Sequence, residues 1–298
     1  MTNLNRTNKI IVIIGPTATN KTKLAISLAK NLNGEIINAD AFQVYREVNV
    51  GVNKPTHEEL QQAKFHLVDC ISIVDKWNIK KFQTEANKII KSIYARECLP
   101  IIVGGSHLYI DALINNYDLD NNEERNSQFD NLSVDELLIK LQAYDPKQAQ
   151  KIGKNHRRLV RTLQIFSQGG QMHKRKNDVY QAMYIFCNKP RVQLQQDINA
   201  RVDLMLLNGW IQEVKNIIKK FPDFRQYNAS KAIGYQEIIT HIQNQKSPLD
   251  INKIKQRTRQ YAKRQLTWIR HHYPNYYEYN QNNFEVILDH IKKFLQKV

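Results

Sequence analysis

Three short apolar segments lie in the first third of the chain. They are residues 9–14 (KIIVII), 35–39 (EIINA) and 100–105 (PIIVGG), and each ends at or is followed by glycine or polar residues. Continuous apolar runs of this length, rich in β-branched residues, are typical of strands buried on both faces of a parallel sheet. They predict three such strands.

Helical patterns separate these predicted strands. Residues 21–33 repeat apolar side chains with a helical period, and Gly34 stands where a glycine can end the helix. Residues 78–97 form a second helix, which is basic and amphipathic. This alternation predicts a parallel α/β sheet, and ligands bind beyond the carboxyl ends of the strands in such sheets. We therefore expect the chemistry in the turns that follow the three strands.

The pattern changes after about residue 115. Residues 116–131 are rich in Asn and charge without periodicity, which is typical of a connecting loop, and Ser133 with Glu136 forms a capping box. The later part contains one more strand, at 183–187, and helices at 133–144, 155–167, 191–221 and 251–273. We predict a core domain of residues 1–115 and 183–298, and a mostly helical insertion domain of residues 116–182.

The charge of the chain indicates a polyanionic partner. The 298 residues carry a formal net charge of +16, a surplus that favours nucleic acid, an anionic membrane surface or a phosphorylated ligand. The three cysteines are far apart and match no metal-ligand spacing, as in a reduced cytosolic protein. No apolar run is long enough to span a bilayer. We expect a soluble, cytoplasmic monomer with no membrane partner.

The turn after the first predicted strand has the frame of a phosphate-binding loop. It reads Gly15-Pro16-Thr17-Ala18-Thr19-Asn20-Lys21-Thr22, with a strand before it and a helix after it. Backbone N–H groups of such loops surround phosphate oxygens, the lysine adds a positive charge, and the threonine hydroxyl binds Mg²⁺. The sequence therefore predicts a nucleotide or diphosphate site, with Lys21 at the terminal phosphates and Thr22 as a metal ligand.

Asn20 stands where the phosphate-loop pattern has glycine. Glycine at this position allows a positive φ, and Asn visits the left-handed region more readily than most residues. The backbone cost is at most roughly 2 kcal/mol, and about 1.4 kcal/mol corresponds to a tenfold change in affinity. We therefore expect phosphate binding to be weakened but retained.

Further motifs follow in order along the chain. They are NADAFQVYR (38–46), GVNKP (51–55), GGSHLYI (104–110), INARVD (198–203), AIGYQE (232–237) and RQYAKRQLTW (259–268). Together with the phosphate loop, this ordered series resembles the tRNA dimethylallyltransferases, also called tRNA isopentenyltransferases. The resemblance extends over nearly the whole chain.

The resemblance implies a fold and a reaction. The fold would be a P-loop NTPase-like parallel sheet flanked by helices, with a helical insertion domain that contacts the tRNA anticodon arm. The dimethylallyl group of dimethylallyl diphosphate would move to N6 of adenosine 37 in tRNA, and diphosphate would leave. Mg²⁺ would be the cofactor. The target base would be taken out of its stack, which costs a few kcal/mol.

The resemblance also implies roles for particular residues. Asp40 would accept the proton of the attacking amine from a position one strand over from the phosphate loop, and Ser106 would keep a hydroxyl near the reacting centre. Gln43 would read the edge of the target nucleotide. The residues expected to contact tRNA are Asp40, Ala41, Phe42, Gln43, Ser106, Arg125, Arg157, Arg158, Leu159, Val160, Arg161, Lys231, Gly234 and Tyr235.

Basic residues are concentrated in three stretches that could neutralise RNA phosphates. The first lies at 151–161, the second at 173–176, and the third is the last long helix, which carries Arg257, Arg259, Lys263, Arg264 and Arg270. Tyr261 and Trp268 lie among the basic residues of that helix, and core packing is a more common role for such aromatic residues than stacking on bases.

The chain departs from the family pattern near the expected site. Asn20 and His107 stand in place of glycine, Ala41 in place of serine, and Val52-Asn53 in place of a small Thr-Ala pair. Two other functions therefore stay open. One is a catalytically impaired tRNA-binding homologue. The other is a P-loop small-molecule kinase, which would leave the basic C-terminal helix unexplained.

Overall fold

The computed structural model describes residues 8–117, 119, 127–167, 179–244, 248–273 and 275–296. The chain divides into two compact units. The first comprises Met1–Ile114 and Asp178–Val298, and the second comprises Asn115–Asn177.

A six-stranded sheet lies in the first unit. Its strands are β1 (Lys9–Ile14), β2 (Gly34–Asn38), β3 (Phe65–His66), β4 (Leu99–Val103), β5 (Gln181–Cys187) and β6 (Tyr277–Tyr279). Their spatial order is β3-β2-β4-β1-β5-β6, and every neighbouring pair is parallel. The predicted parallel sheet is confirmed, and the short strands β3 and β6 extend it at its edges.

The order of the strands corrects one expectation about the site. Ile101 of β4 pairs with Ile11 of β1 on one side and with Ile36 of β2 on the other. Asp40, which follows β2, is therefore two strands from the phosphate loop and not one. A crossover connection can place a later strand between two earlier ones, so chain order does not determine spatial order. The carboxyl ends of β1, β4 and β2 still lie at one edge of the sheet, because all three are parallel.

The described residues contain twelve α-helices. Those of the first unit are α1 (Lys21–Leu32), α2 (His57–Gln62), α3 (Ile79–Ala95), α4 (His107–Ile114), α8 (Arg191–Leu207), α9 (Trp210–Lys220), α10 (Tyr235–Gln243), α11 (Ile251–His272) and α12 (Phe284–Gln296). Those of the second unit are α5 (Val134–Tyr144), α6 (Pro146–Ile152) and α7 (His156–Ser167). None of these helices has the length and apolar character that a bilayer-crossing segment needs.

Both faces of the sheet are covered by helices. Ile10, Val12 and Ile14 of β1 belong to one buried cluster, which also contains apolar residues of α3, α4 and α10. Ile11 and Ile13 belong to a second cluster with residues of α1 and α12. The continuous apolar run of β1 thus reflects burial on both faces, as predicted.

Two helix boundaries differ from the sequence prediction. α1 ends at Leu32 and its C-cap is Asn33, which has the left-handed conformation (φ 49), whereas Gly34 is the first residue of β2. A Cβ on Gly34 would lie 2.7 Å from Ile101 Cδ1, so this glycine allows close packing against β4 and does not cap the helix. The predicted helix 191–221 is interrupted after α8, where Gly209 (φ 90) starts α9.

The second unit has its own small core. Ser133 and Glu136 form the predicted capping box at the start of α5. Leu137 and Leu141 of α5 pack with Leu159 and Leu163 of α7, and all four side chains are fully buried.

Candidate active site

A cavity of about 580 Å³ lies at the carboxyl ends of β1, β4 and β2. Residues 17–22 of the phosphate loop, Asp40 and Gln43 after β2, and Gly104 after β4 line one part of it. The C-terminal half of the chain supplies much of the rest, including Arg201, Lys231, Arg257, Tyr261, Arg264 and Gln265. Turns from three strands therefore converge on one cavity, as expected for a parallel sheet.

The phosphate loop adopts left-handed backbone at two residues that are not glycine. Asn20 has φ 59 and ψ 30 at the N-cap of α1, and Ala18 has φ 67. The Thr19 hydroxyl donates to the carbonyl of Pro16 at 2.8 Å and fixes the turn between them. The loop conformation that Asn20 was predicted to allow is present. Gly15 and Pro16 are buried behind the part of the loop that lines the cavity.

Two cations lie at the phosphate loop. Lys21 Nζ donates to the carbonyl of Pro16 at 2.6 Å. Burial lowers the pKa of Lys21 to about 8, and the charge of Arg201 contributes, although Asp40 opposes the shift. Arg201, from α8, lies 3.4 Å from the Thr17 hydroxyl. Both side chains would interact favourably with an anion that binds between them and the N-terminus of α1.

Asp40 presents a partly satisfied carboxylate to the cavity. Its Oδ1 accepts hydrogen bonds from the backbone N–H groups of Phe42 (2.8 Å) and Gln43 (3.2 Å). These bonds fix the side chain and leave Oδ2 as the oxygen that a ligand can reach. Burial raises the pKa of Asp40 despite these bonds and the positive charge of Lys21. The carboxylate is therefore a stronger base than an exposed aspartate.

Ser106 is bonded to the turn that carries Asp40. Its Oγ accepts from the N–H of Ala41 at 3.1 Å, and its own N–H donates to the carbonyl of Ala39 at 3.2 Å. Neither Ser106 nor Ala41 lines the cavity. In this structure the Ser106 hydroxyl positions the Asp40 turn, so the geometry supports a positioning role for Ser106 more directly than a catalytic one.

Gln43 lines the cavity with a fixed side-chain amide. Its Nε2 donates to the carbonyls of Val52 and Asn53, both at 3.0 Å. Because a side-chain amide has two hydrogens, both of its donors are used and only its oxygen is left for a ligand.

Helix α11 connects two of the three turns. The buried side chain of Gln265 accepts from the N–H of Thr17 at 2.9 Å and donates to the carbonyl of Gly105 at 2.9 Å. Tyr261, one turn earlier, donates to the same carbonyl at 3.1 Å. Tyr261 lines the cavity, whereas Trp268 donates to Asp111 at 3.0 Å and packs against the core.

The three residues near 231–235 that were expected to contact tRNA differ in exposure. Lys231 is exposed and lines the cavity. Tyr235 is fully buried, and its hydroxyl donates to Glu213 at 2.7 Å. A Cβ on Gly234 (φ 94) would lie 2.1 Å from the ring of Trp210. Of the three, only the side chain of Lys231 is placed to contact a ligand, and the other two serve packing.

Some of the residues of helix α7 that were predicted to contact tRNA are exposed, and others are buried in the core of the second unit. Arg157, Arg158 and Arg161 are exposed. Leu159 and Val160 are buried in the core of this unit, so their side chains cannot contact a nucleic acid in this structure. Arg125 and the basic stretch 173–176 lie outside the described residues.

Comparison with known proteins identifies the family. A family model described as IPP transferase matches residues 43–272. The chain belongs to this family. A tRNA dimethylallyltransferase of Malacoplasma penetrans is 41% identical over 302 residues, which cover 96% of this chain and 98% of the relative. One from Lactobacillus johnsonii is 38% identical, covering 89% of this chain and 91% of the relative.

Solved structures of similar proteins share the fold. The tRNA isopentenylpyrophosphate transferase of Bacillus halodurans is 32% identical, with a TM-score of 0.73, and 97% of each chain is covered. A eukaryotic dimethylallyltransferase acting on tRNA is 28% identical, with a TM-score of 0.75, covering 88% of this chain and 70% of that chain. These matches confirm the resemblance and the P-loop NTPase-like α/β fold predicted from the sequence.

The structure accommodates three of the substitutions that depart from the family pattern. Asn20 and Asn53 both have the left-handed conformation, which Asn tolerates better than most residues. His107 is buried at the start of α4, and neither ring nitrogen has a hydrogen-bond partner in the described part of the chain. Burial lowers the pKa of His107 to about 3, so the ring is neutral and does not add a charge near Lys21.

Three polar residues at or near the site were not predicted as site residues. Arg201, Glu213 and Gln265 all lie within stretches that carry the resemblance. Each is far from the phosphate loop and from Gln43 in the sequence, and each acts through a tertiary contact. The helical periodicity of these stretches predicts that the three residues lie on helices, but it does not predict which loop each one contacts.

Proposed function

We propose that this IPP transferase moves the dimethylallyl group of dimethylallyl diphosphate to N6 of adenosine 37 in tRNA and releases diphosphate. The observation that carries the proposal is that one cavity contains both the cationic phosphate loop and the Asp40 carboxylate. The names of the relatives, which are tRNA dimethylallyltransferases, agree with this reaction.

The diphosphate of the donor would bind at the phosphate loop. The N-terminus of α1 favours an anion, and Lys21 and Arg201 add full charges beside it. As the bond between the donor carbon and the diphosphate oxygen breaks, negative charge grows on that oxygen. Cations that are already in place stabilise this charge without having to reorganise.

The residues at the loop suit a magnesium ion that is bound mainly by the donor. Thr22 lines the cavity in the first turn of α1. Mg²⁺ commonly uses only one or two protein ligands, together with phosphate oxygens and water. No group of three His, Cys, Asp or Glu side chains forms a metal site among the described residues. Thr22 would therefore hold the ion, which would neutralise charge on the diphosphate.

Asp40 would receive the proton that the nucleophile loses. The bond between N6 and the donor carbon forms, and one N6 proton moves to Oδ2 of Asp40. Because Oδ1 is held by Phe42 and Gln43, the receiving oxygen keeps its direction during the step. Water would take the proton from Asp40 after the products leave.

The RNA would be held by basic residues of both units. We propose Lys231, Arg257 and Arg264 at the cavity, and Arg157, Arg158 and Arg161 on α7, as contacts to phosphates. Arg125 stays a prediction from the sequence. The role of residues 116–182 as the domain that contacts the anticodon arm, the cytoplasmic location and the monomeric state are also part of the proposal.

Mass spectrometry of RNA tests the reaction. An anticodon stem–loop with adenosine at position 37 is incubated with the protein, Mg²⁺ and dimethylallyl diphosphate. We expect a dimethylallyl adduct on that adenosine. Asp40→Asn keeps the acceptor for the two backbone N–H groups but removes the base, so the rate should fall by about 10²-fold or more. Asp289→Asn, an exposed change on α12, is the matched control and should keep the wild-type rate.

The alternatives open on sequence give different outcomes. An unmodified RNA together with binding of RNA but not of dimethylallyl diphosphate in calorimetry would indicate an impaired homologue. Turnover of ATP with a small acceptor would indicate a kinase. Either result would contradict the proposed reaction.

A further inference from the structure

The carboxylate of Glu213, on α9, binds the backbone of a distant loop at residues 49–51. Its Oε2 accepts from the backbone N–H groups of Asn49 (2.8 Å) and Val50 (2.7 Å), and its Oε1 lies 3.4 Å from the N–H of Gly51. Tyr235 donates to the same Oε1 at 2.7 Å. Three successive N–H groups facing one carboxylate form an anion-binding arrangement, here filled by a side chain of α9.

The loop that Glu213 holds has little freedom to move. A Cβ on Gly51 would lie 2.0 Å from Trp210 Nε1, so the backbone rests directly on the start of α9. Just beyond the loop, Lys54 donates to the carbonyl of Tyr45 at 2.6 Å and to Asn49 Oδ1 at 2.8 Å, and it pairs with Asp69. The segment 49–54 is therefore fixed at both ends.

This loop determines what Gln43 offers to a ligand. The carbonyls of Val52 and Asn53 accept both hydrogens of the Gln43 amide. The opposite orientation would place the amide oxygen against these two carbonyl oxygens with no hydrogen between them. The two carbonyls therefore determine the orientation of the Gln43 amide. Gln43 therefore presents an acceptor to the cavity that it lines.

We propose that Glu213 is a positioning residue for selection of the target base. By holding residues 49–51 it fixes the two carbonyls that orient Gln43, and Gln43 then favours a base edge that carries an amino group over one that carries a carbonyl. Adenine has an amino donor at its position 6, whereas a 6-oxopurine has an acceptor there. The inference rests on the proposed function, because it assumes that a purine of RNA enters the cavity.

Equilibrium binding tests this selection without any chemical step. Two labelled anticodon stem–loops differ only at position 37, which is adenosine in one and inosine in the other. The wild-type protein should prefer adenosine by about tenfold, the value expected for one decisive hydrogen bond. Glu213→Gln removes the negative charge and one of the two oxygens that accept from residues 49–51 and Tyr235, so the preference should fall to that of the Gln43→Ala variant. Affinity for inorganic diphosphate should not change.

Asp223→Asn is the matched control for the loss of charge. Asp223 is exposed and lies just beyond the end of α9, so this variant should keep the full preference for adenosine. A variant with Gln43→Ala should lose the part of the preference that Gln43 supplies and keep the part that the Asp40 carboxylate supplies, and adding Glu213→Gln to it should have no further effect. A role of Glu213 in stability alone would instead give additive effects on binding.

The outcomes separate this inference from the proposed function. If the wild-type protein transfers dimethylallyl to the adenosine stem–loop but Glu213→Gln keeps the full preference, or if the two substitutions are additive, the inference is wrong and the function stands. If the wild-type protein transfers no dimethylallyl group to the adenosine stem–loop, the proposed function itself is wrong. Should Glu213→Gln not fold by circular dichroism, Glu213→Asp takes its place, and an unchanged preference in that variant also overturns the inference.

Discussion

The carboxyl group of Asp40 is subject to opposing effects. Burial favours its protonated form, while two backbone N–H groups and the charge of Lys21 favour the carboxylate. Burial has the larger effect and raises the pKa, which suits a group that must accept a proton and later release it. The nearby Lys21 is shifted in the opposite direction, to a pKa of about 8, because burial disfavours its charge. Both shifts bring the two groups closer to neutral pH.

These shifts predict a bell-shaped pH profile. Protonated Asp40 cannot accept the N6 proton, so kcat/KM should fall as the pH drops through its pKa, with a midpoint above the ordinary value of about 3.9. Neutral Lys21 cannot attract the diphosphate, so kcat/KM for the donor should also fall as the pH rises through about 8. Initial rates between pH 4 and 10 measure both limbs. A flat alkaline limb in the wild type, or an acid limb that persists in Asp40→Asn, would contradict these assignments.

Local conformation was predictable at single residues, but tertiary contacts were not. The left-handed backbone of Asn20 follows from the steric freedom of Asn and from its place in the loop pattern, and the structure has it. The contacts of Arg201 with Thr17 and of Gln265 with Thr17 join residues that are 184 and 248 positions apart. No local pattern encodes such a pairing. For the same reason the sequence did not show that Leu159 and Tyr235 are buried.

Elements with a long or strongly periodic pattern were predicted well. The five apolar residues of β1, Ile10 to Ile14, and the capping box of α5 each lie where expected. β3 has two residues and β6 has three, which is too short for an alternating pattern to be recognised. α12 carries a clear helical repeat in Ile287, Leu288, Ile291 and Leu295, so its sequence was informative although no prediction was made for it. The position of β4 between β1 and β2 depends on crossover connections that periodicity does not describe.

Helix α11 connects the phosphate loop to the turn after β4, and Gln265 makes hydrogen bonds to both. Gln265→Ala would remove the acceptor of the part-buried N–H of Thr17 and one of the two donors to Gly105. Losing a hydrogen bond of this kind costs about 0.5–1.5 kcal/mol, and the phosphate loop would lose an anchor. We expect affinity for inorganic diphosphate, measured by calorimetry, to fall by about tenfold. Gln256→Ala changes an exposed residue of the same helix and should leave the affinity unchanged. Equal affinities for diphosphate in the two variants would show that the hydrogen bonds of Gln265 do not determine the conformation of the phosphate loop.

At the scale of the whole molecule, the positive charge has two separate locations. One is the cavity of the first unit, where Lys21, Arg201, Arg257 and Arg264 face the same space. The other is α7 of the second unit, whose arginines are exposed on a helix anchored by its own buried core. Substitutions on α7 should therefore weaken RNA binding without changing diphosphate binding, because the second set of charges belongs to a unit with a separate core.

Salt dependence of RNA binding distinguishes these two sets of charges. Each phosphate contact contributes about 0.7–0.9 to the slope of log K against log salt concentration. Replacing both Arg157 and Arg158 with Ala should lower the slope by roughly 1.5, while calorimetry with inorganic diphosphate should give the wild-type affinity. The paired control, Lys140→Ala with Lys147→Ala, removes two exposed charges of the same unit. If this control lowers the slope equally, the charge of the unit acts as a diffuse field. If only the arginine pair does so, α7 makes discrete contacts with phosphates, as its placement in the proposal requires.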